Sequence, residues 1–332
     1  MKSVFVLICL IPQLFQAQIK NLVLEGGGVR GIAYVGAIQA LEEFDQLHSI
    51  ENIAGTSVGS IAATLLCIGF NSHELQEELS SIKIQQFNDG RGIFIGGIHR
   101  TNKQYGWYKG EKLTDWINDL IEQKTGFKNL TFEQLSKMAD TSETFKHLYV
   151  TATNLTQQRP VIINHNSYPN MRIADAVRVS TSIPLYYSAV FVDSCGNLYS
   201  KPPKDIAVDV LSDGGFLTNY PIHVFDAKYS IEQTIGLRLD DSNQIKQDTS
   251  GKHQLAPYEI NNLVDYIGAF YNLVIENLNR CDLTPEDWER TISISTCGIG
   301  PRVKRLSEEE VNTLIVAGYH SVKKFLSDNQ KN

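Results

Sequence analysis

A serine between two glycines is the first feature of this sequence that could do chemistry. Residues 55–59 read Gly-Thr-Ser-Val-Gly, the pattern G-x-S-x-G, with Ser57 at its centre. Between a strand and a helix, this pattern is typical of a nucleophile elbow, a sharp turn that exposes the serine hydroxyl at the edge of a sheet. Gly55 and Gly59 permit the turn because they lack side chains that would clash. Ser57 is therefore a candidate nucleophile.

A second glycine motif lies about 30 residues earlier in the chain. Residues 26–31 read Gly-Gly-Gly-Val-Arg-Gly and follow a short apolar run. The pattern G-x-G-x-x-G is that of a dinucleotide-binding loop, which also needs an acid at a strand end about 20 residues further on. Glu51 has nearly that spacing but stands at the start of its strand. The same glycines suit an oxyanion hole, since their N–H groups can point at one atom. A simple tight turn is the third interpretation.

A serine hydroxyl is a weak nucleophile and needs a base. The sequence has eight histidines, but none follows a late strand in the serine, acid, histidine order of α/β-hydrolases. Residues 212–215 read Ser-Asp-Gly-Gly and come after an apolar run at 206–211. Asp213 at this strand end could take the Ser57 proton directly. An Asp-Gly pair is also a common turn former, so the motif alone leaves both interpretations open.

Together, the three glycine motifs resemble those of the patatin-like phospholipases, a family of serine lipid acyl hydrolases with a Ser-Asp dyad. The segment 175–184, Asp-Ala-Val-Arg-Val-Ser-Thr-Ser-Ile-Pro, is similar to the stretch that this family has between its two catalytic motifs. The resemblance covers residues 20–240. It implies hydrolysis of a lipid or phospholipid ester, at a membrane surface or micelle, with no cofactor and no metal. A non-catalytic lipid-binding module is the alternative that keeps the fold.

The resemblance also implies roles for single residues. Ser57 is the expected nucleophile and Asp213 the expected general base. The oxyanion loop is expected to consist of Gly26, Gly27, Gly28 and Gly31. Supporting positions are Arg30, Gly55, Gly59, Gly214, Gly215 and Arg178. The arginine in the loop, Arg30, has three open interpretations: it stabilises the loop, binds a lipid phosphate, or is solvated.

The elements that must position these residues alternate between strands and helices. Strands are predicted at 21–25, 50–54, 147–153, 160–164, 190–193, 206–211, 234–239 and 291–295. Helices are predicted at 32–41, 60–66, 110–124, 173–179, 261–279 and 307–325, and long loops at 91–107 and 240–257. Two successive strand, glycine turn and helix units indicate a parallel sheet with helices on its faces. We therefore predict an α/β fold, a three-layer α/β/α arrangement with a mostly parallel central sheet, patatin-like.

The N-terminal segment has the pattern of an export signal. Residues 1–17 carry a positive charge near the start at Lys2, continue with an apolar run at 4–11 and end at a plausible cut after Ala17. The run is shorter than the roughly 20 residues that span a bilayer. We expect a cleaved signal peptide and a periplasmic or secreted protein, or a cytoplasmic one if no cleavage occurs. Residues 18–332 are predicted as one catalytic domain, with core motifs at 21–220 and a C-terminal strand and helix at 255–328.

Composition excludes several other classes. The 332 residues include 30 Lys+Arg against 37 Asp+Glu, a net charge of −7, so no basic field is available for nucleic acid. The oligomeric state is not predicted. The cysteines form no C-x-x-C pair, and the pairing of those beyond the signal is left open: Cys67, Cys195, Cys281 and Cys297. Two apolar segments, 93–98 and 185–187, are predicted either to touch lipid or to pack in the core.

Overall fold

We describe the fold from a computed structural model of the chain. The structure describes residues 18–81, 84–90, 97, 101, 104–252, 254–261, 266, 269, 273, 276, 279, 280, 282–300 and 305–329. The predicted signal peptide, most of the apolar segment at 93–98 and Cys281 lie outside these residues. Over the described part of the chain, no helix is both long enough and apolar enough to cross a bilayer.

Two sheets contain the strands. The bounds of the strands are β1 (Asn21–Leu24), β2 (Asn52–Gly55), β3 (Gly106–Tyr108), β4 (His147–Asn154), β5 (Arg159–Ile163), β6 (Leu185–Tyr187), β7 (Val190–Val192), β8 (Leu198–Tyr199), β9 (Asp209–Asp213), β10 (Thr234–Asp240) and β11 (Thr291–Ser295). The main sheet has the order β11-β10-β1-β2-β4-β9-β7-β8, with β5 added to β4. β3 and β6 form a separate parallel pair.

The helices connect and cover these strands. Their bounds are α1 (Ala33–Glu43), α2 (Val58–Cys67), α3 (Ser72–Ser81), α4 (Glu111–Thr125), α5 (Phe132–Ala139), α6 (Ile173–Ser180), α7 (Gly215–Thr218), α8 (Ser242–Thr249), α9 (Pro285–Glu289) and α10 (Glu308–Asn329). A short 3-10 helix at Gly28–Ile32 joins the glycine loop to α1. Of the predicted 261–279 helix, the described positions 266, 269, 273, 276 and 279 are helical, whereas 261 is not.

The parallel half of the main sheet brings the two glycine motifs to one edge. β10, β1, β2 and β4 run side by side in the same direction, with Leu24 of β1 opposite both Leu237 and Gly55. Chain segments that leave parallel strands at their carboxyl ends meet at the same edge of the sheet. The loop at 26–31 follows β1 and the turn at 56–57 follows β2, so the two motifs are neighbours in space.

Strand β9 runs antiparallel to the sheet and carries Asp213 at its end. It pairs with β7 on one side and with the tail of β4 on the other, where Asp213 lies opposite Ala152. Gly55 of β2 lies opposite Val150, which is two residues before Ala152 on β4. The chain therefore enters β9 at the carboxyl edge of the parallel strands. The strand ends at Asp213, beside the point where the serine turn begins.

The core has two parts because β1 buries both of its faces. Leu22 and Leu24 face the larger cluster, to which α1, α2 and α10 contribute. Val23 points the other way, since side chains alternate along a strand. It packs in a smaller cluster with Ala54, Tyr149, Tyr220, Ile222 and Phe225. The mostly parallel sheet with helices around it agrees with the predicted fold class.

Three predicted elements need correction. The strand predicted at 206–211 is found at Asp209–Asp213, so the aspartate ends the strand instead of following it. The loop predicted at 240–257 contains helix α8, whose start is capped by Asp241. The loop predicted at 91–107 lies largely outside the described residues, but its last two positions belong to β3.

Candidate active site

Ser57 occupies a strained turn between β2 and α2. Its φ is 51° and its ψ is −121°, a conformation that a residue with a side chain rarely adopts. The turn is possible because its flanks are glycines. A Cβ on Gly55 would lie 2.2 Å from the carbonyl oxygen of Gly59, and one on Gly59 would lie 2.4 Å from that of Leu24. The two glycines predicted as supports thus let the turn close against β1.

The Ser57 hydroxyl donates a hydrogen bond to Asp213. The distance from Oγ to Oδ2 is 2.8 Å. The other carboxylate oxygen, Oδ1, accepts from the N–H of Gly215 at 2.8 Å. Asp213 is 6% exposed, and this burial raises its pKa to about 6 although the two hydrogen bonds oppose the shift. The structure therefore places a basic carboxylate in direct contact with the hydroxyl.

Neighbouring hydroxyls fix the backbone on both sides of this pair. The N–H of Ser57 donates to Ser180 Oγ at 2.9 Å, which places the end of α6 beside the turn. Thr56 Oγ1 lies 2.6 Å from Thr151 Oγ1 on β4 and donates to the Thr218 carbonyl at 2.8 Å. A Cβ on Gly214 would lie 2.2 Å from that Thr151 hydroxyl. Gly214 is thus required by the close approach of the Asp213 turn to β4.

The glycine loop offers fewer free N–H groups than the sequence predicts. The N–H of Gly26 donates to the Asn219 carbonyl at 3.1 Å, so it cannot also hold an oxyanion. Gly31 lies against the turn, because a Cβ there would be 2.4 Å from Val58 Cγ2. The N–H groups of Gly27 and Gly28 have no acceptor within the described chain, and Gly28 is exposed.

Arg30 folds back onto the loop that contains it. Its Nε donates to the Gly27 carbonyl at 3.0 Å, and its Nη1 donates to the Leu239 carbonyl on β10 at 3.4 Å. Of the three interpretations of this arginine, the contacts favour stabilisation of the loop. The two bonds orient the Gly27 peptide relative to the sheet.

Arg178 is a buried arginine outside the dyad, and its guanidinium binds three acceptors. It is 6% exposed. Its Nη2 donates to the carbonyls of Lys109 at 2.5 Å and Ser188 at 3.0 Å, and its Nη1 donates to Ser182 Oγ. Burial lowers its pKa to about 10. The Ser182 carbonyl in turn accepts from the N–H of Asp213 at 3.1 Å. Arg178 thus supports the strand that carries the aspartate.

Replacing this arginine by lysine is expected to destabilise the fold. In Arg178→Lys one ammonium replaces a planar group that binds three separate acceptors, and buried acceptors left without donors cost ~1–3 kcal/mol each. We expect the free energy of unfolding, measured by urea denaturation, to fall by ~2–4 kcal/mol. The matched control is Arg172→Lys at the start of the same helix, where the arginine is half-exposed and pairs with Asp175. Equal losses of unfolding free energy in the two variants would contradict a special contribution of the Arg178 contacts to stability.

Sequence reasoning missed a group of buried charges behind the glycine loop. Glu25 directly precedes the loop and is 1% exposed. Its Oε1 lies 3.4 Å from Nη2 of the fully buried Arg238, which also pairs with Asp240 and Glu276. The available signal was an acid at the end of an apolar strand, together with the charged residues inside the otherwise apolar β10. Asn219 was also missed, because it belongs to no motif.

The described histidines, and a candidate metal cluster found among the described residues, lie elsewhere. Among the described residues, no histidine hydrogen-bonds to Ser57 or Asp213. His223, Asp226 and Asp287 have ligand atoms within 4.8 Å of one another. Arg290 already binds both carboxylates: its distances are 2.7 Å to each Asp226 oxygen and 2.5 Å to Asp287 Oδ1. The cluster is therefore an ion-pair network centred on a guanidinium and does not suit a metal ion.

The apolar segment at 185–187 divides between surface and core. Leu185 is 68% exposed, whereas Tyr187 is buried and packs under the Arg178 guanidinium. Leu185 pairs with Gly106 of β3, next to the exposed Tyr105. The core interpretation thus holds for Tyr187 and not for Leu185, whose side chain is exposed. The described cysteines carry free thiols: Cys67 is buried, and Cys195 and Cys297 are exposed.

Comparison with known proteins assigns the chain to one family. The family model of the patatin-like phospholipases matches residues 22–226, which is more than half of the chain. The chain therefore belongs to the patatin-like phospholipase family. The matched range begins in β1 and includes both the serine turn and Asp213.

Individual relatives extend this result. The chain is 34% identical over 253 residues to the uncharacterized protein R571 of Acanthamoeba polyphaga mimivirus, which covers 76% of this chain and 74% of that protein. It is 25% identical over 207 residues to the "Probable lipid hydrolase 463L" of Invertebrate iridescent virus 6, covering 62% of each. The crystal structure of VipD from Legionella pneumophila superposes with a TM-score of 0.58 at 16% identity, covering 94% of this chain and 67% of that one. This last similarity concerns the fold, and it confirms the predicted fold class.

Proposed function

We propose that this protein is a lipid acyl hydrolase in which Ser57 is the nucleophile and Asp213 the general base. The observation that carries the proposal is the 2.8 Å hydrogen bond from Ser57 Oγ to Asp213 Oδ2 at a strained turn. Strain of this kind persists only where the surroundings enforce it, and it clusters at functional sites. Membership of the patatin-like phospholipase family supports the same assignment.

The proposed reaction has two halves. Asp213 takes the hydroxyl proton while Ser57 Oγ attacks the ester carbonyl carbon, and the N–H groups of Gly27 and Gly28 hold the resulting oxyanion. The tetrahedral intermediate collapses, and the leaving alcohol takes the proton from Asp213. Water then gives a proton to Asp213 and attacks the acyl-enzyme, which releases a fatty acid and returns the proton to Ser57. Preorganised donors of this kind are worth about 3 kcal/mol of barrier each.

The environment of Asp213 suits a single carboxylate as base. An ordinary aspartate is a weak base at neutral pH, because its pKa is near 4. Burial raises the pKa of Asp213 to about 6, which brings its basicity closer to that of a histidine. The bond from Gly215 leaves Oδ2 as the oxygen directed at the serine. These features support a dyad without histidine.

An ester of a fatty acid is the substrate class that the surroundings favour. Leu185 and Tyr105 are exposed. Leu185 is the first residue of β6, three residues after Ser182, and Tyr105 directly precedes β3, the strand that pairs with β6. The Ser182 carbonyl binds the N–H of Asp213. Exposed apolar groups on the segment that continues from this contact can bind an acyl chain or a lipid surface. The name of the viral relative, a probable lipid hydrolase, is consistent with this class.

The dinucleotide alternative has no observation in its favour. The N–H of Gly26 is bonded to Asn219. Glu51, the acid with nearly the required spacing, pairs with Lys20 at 2.6 Å and precedes β2. It therefore lies at the amino edge of the parallel strands, whereas a ribose would bind at the carboxyl edge.

The pH dependence of the reaction follows from the Asp213 pKa. Only the ionised carboxylate can accept the serine proton, and burial raises its pKa to about 6. We expect kcat/KM for a neutral ester to rise with pH and to level off above about pH 7, with a roughly tenfold loss at pH 5. Initial rates between pH 4.5 and 8.5 with a 4-nitrophenyl ester measure this. A profile that is flat down to pH 4.5 would contradict the assignment of the base.

Hydrolysis by the wild-type protein tests the function itself. The substrates are a short-chain 4-nitrophenyl ester and vesicles of phosphatidylcholine, with fatty acid release as the second readout. We expect turnover of both. Turnover of the soluble ester alone would retain the esterase and remove the assignment to lipids, and absence of turnover on both would overturn the proposal.

A further inference from the structure

Glu25 is a buried acid that the proposed reaction does not use. It stands between the last residue of β1 and the glycine loop, and it is 1% exposed. Burial of a carboxyl group is unfavourable unless hydrogen bonds and charges compensate for it. Burial raises the pKa of Glu25 to about 8 even though Arg238 opposes the shift. Such a group in front of a catalytic loop needs an explanation.

The two carboxyl oxygens of Glu25 bind two different parts of the chain. Oε2 accepts from the N–H of Leu239 at 2.7 Å, and Oε1 accepts from Asn219 Nδ2 at 3.3 Å. Oε1 also lies 3.4 Å from Arg238 Nη2. The carboxyl group therefore holds β10 on one side and the segment after Asp213 on the other.

Both of these partners in turn hold the glycine loop. Asn219 binds Gly26 twice: its Nδ2 donates to the Gly26 carbonyl at 3.2 Å, and its own carbonyl accepts from the Gly26 N–H at 3.1 Å. The Leu239 carbonyl accepts from Arg30 Nη1, and Arg30 Nε binds the Gly27 carbonyl. Glu25 thus binds the two residues, Leu239 and Asn219, whose own contacts orient the first two peptides of the glycine loop.

A second path leads from Asn219 to the dyad. The N–H of Asn219 donates to Asn279 Oδ1 at 2.5 Å, and Asn279 Nδ2 donates to the Gly215 carbonyl at 3.2 Å. The N–H of Gly215 binds Asp213 Oδ1. The same asparagine therefore contacts the loop directly and reaches the base through one further side chain.

From these contacts we infer that Glu25 is a positioning residue, which fixes the glycine loop relative to Ser57 and Asp213 through Leu239 and Asn219. It does not touch the reacting atoms. Its effect is to keep the N–H groups of Gly27 and Gly28 aimed at the oxyanion, so its loss lowers the rate of the chemical step and leaves ester binding unchanged. This inference rests on the proposed hydrolase function.

The test is a double-mutant cycle on the soluble 4-nitrophenyl ester. Glu25→Gln keeps the shape, but its amide has one accepting oxygen, so it cannot accept from Leu239 and Asn219 on separate oxygens. We expect kcat to fall by roughly 10- to 100-fold, comparable to the partial loss of an oxyanion donor, with KM changed less than about threefold. Asn219→Ala is expected to give a similar loss. The double variant should lose clearly less than the product of the two single losses, because Glu25 acts in part through Asn219.

Asp248→Asn is the matched control. Asp248 lies on α8, is almost fully buried and binds Arg280 Nη1 at 2.8 Å, in the same charged cluster but without a contact to the loop. We expect it to lower the unfolding midpoint and to leave kcat within about twofold of the wild type.

Three outcomes would overturn the inference: an unchanged kcat in folded Glu25→Gln, multiplying effects in the double variant, or a loss of kcat in Asp248→Asn as large as that in Glu25→Gln. If Glu25→Gln does not fold, Asn219→Ser carries the same test, and an unchanged kcat in it overturns the inference. Failure of the proposed function is distinguishable, since the wild type would then be inactive or Ser57→Ala would retain its activity.

Discussion

Ser57→Ala is expected to lower kcat/KM for both ester and phospholipid by about 10⁴-fold or more, the scale found when the nucleophile of a serine hydrolase is removed. The hydroxyl of Ser57 is the group that donates to Asp213 Oδ2. Alanine keeps a Cβ at the same position, so the turn stays as strained as before and the fold is retained. Initial rates and the thermal unfolding midpoint of the same preparation measure the two effects separately.

Ser60→Ala serves as the control for this variant. Ser60 lies one turn along α2 and its hydroxyl donates to the Ser57 carbonyl at 2.6 Å. Ser60→Ala also removes a serine hydroxyl, three residues after Ser57. We expect its activity to stay within about tenfold of the wild type, since a supporting hydrogen bond is worth ~1 kcal/mol. If Ser57→Ala retained the activity of the wild type, another group would have to be the nucleophile.

Asp213→Asn is the second variant with a large expected effect. An asparagine amide cannot take a proton, so the hydroxyl loses its base while the shape of the site is preserved. We expect kcat to fall by ~10³- to 10⁴-fold, the range known for replacing the acid of a catalytic triad. The control is Asp209→Asn at the other end of β9, where the carboxylate binds Asn154 and Gln157. A comparable loss in both variants would indicate damage to the strand instead of loss of a base.

The same substitution is expected to stabilise the fold. The pKa of Asp213 is raised to about 6 in the folded protein, so the folded state binds the proton more tightly than the unfolded chain. Stability is therefore lost as the pH rises from about 4 to 6, and the full penalty of the buried charge is present at pH 8. Asparagine removes this penalty, and we expect the free energy of unfolding at pH 8 to rise by roughly 1–3 kcal/mol. Urea denaturation of both proteins at pH 8 and pH 4 measures it, and the gain should disappear at the lower pH.

The two residues of the proposed dyad stood out in the sequence because each lies next to a glycine motif after an apolar run. Ser57 and Asp213 are 156 residues apart, and their contact required only that two strand ends meet at one edge of the sheet. The direction of β9 was not predictable from its own residues. It depends on pairing with the tail of β4, which no local pattern of Asp209–Asp213 encodes.

The proposed positioning residues, Glu25 and Asn219, could not be found in the same way. Asn219 lies in the turn Thr-Asn-Tyr-Pro, and its contact with Glu25 joins positions 194 residues apart. A side chain amide that binds a carboxyl group and a backbone carbonyl has no sequence signature. The Gly26 N–H donates to the backbone carbonyl of the same asparagine and is therefore not free. A glycine motif therefore predicts that a loop can hold an oxyanion, but not which of its N–H groups remain free.

The helices that sequence reasoning missed are short or mostly polar. α8 has the sequence Ser-Asn-Gln-Ile-Lys-Gln-Asp-Thr, in which one apolar residue gives no periodicity. α5 is eight residues long, and its best signal was the capping box of Thr131 and Gln134. By contrast, α1 was predicted because its apolar residues recur on one face, and α2 because a stretch of small residues follows a strand and a glycine turn. Both helices are buried against the sheet.

The most direct test of the central claim is covalent labelling of the nucleophile by an alkyl fluorophosphonate, which phosphonylates an activated serine with loss of fluoride. Intact-mass and peptide mass spectrometry then locate the adduct. We expect one adduct per chain, on Ser57, formed far more slowly in Asp213→Asn and absent from Ser57→Ala. An adduct on another residue, or equal labelling of Ser57→Ala, would contradict it.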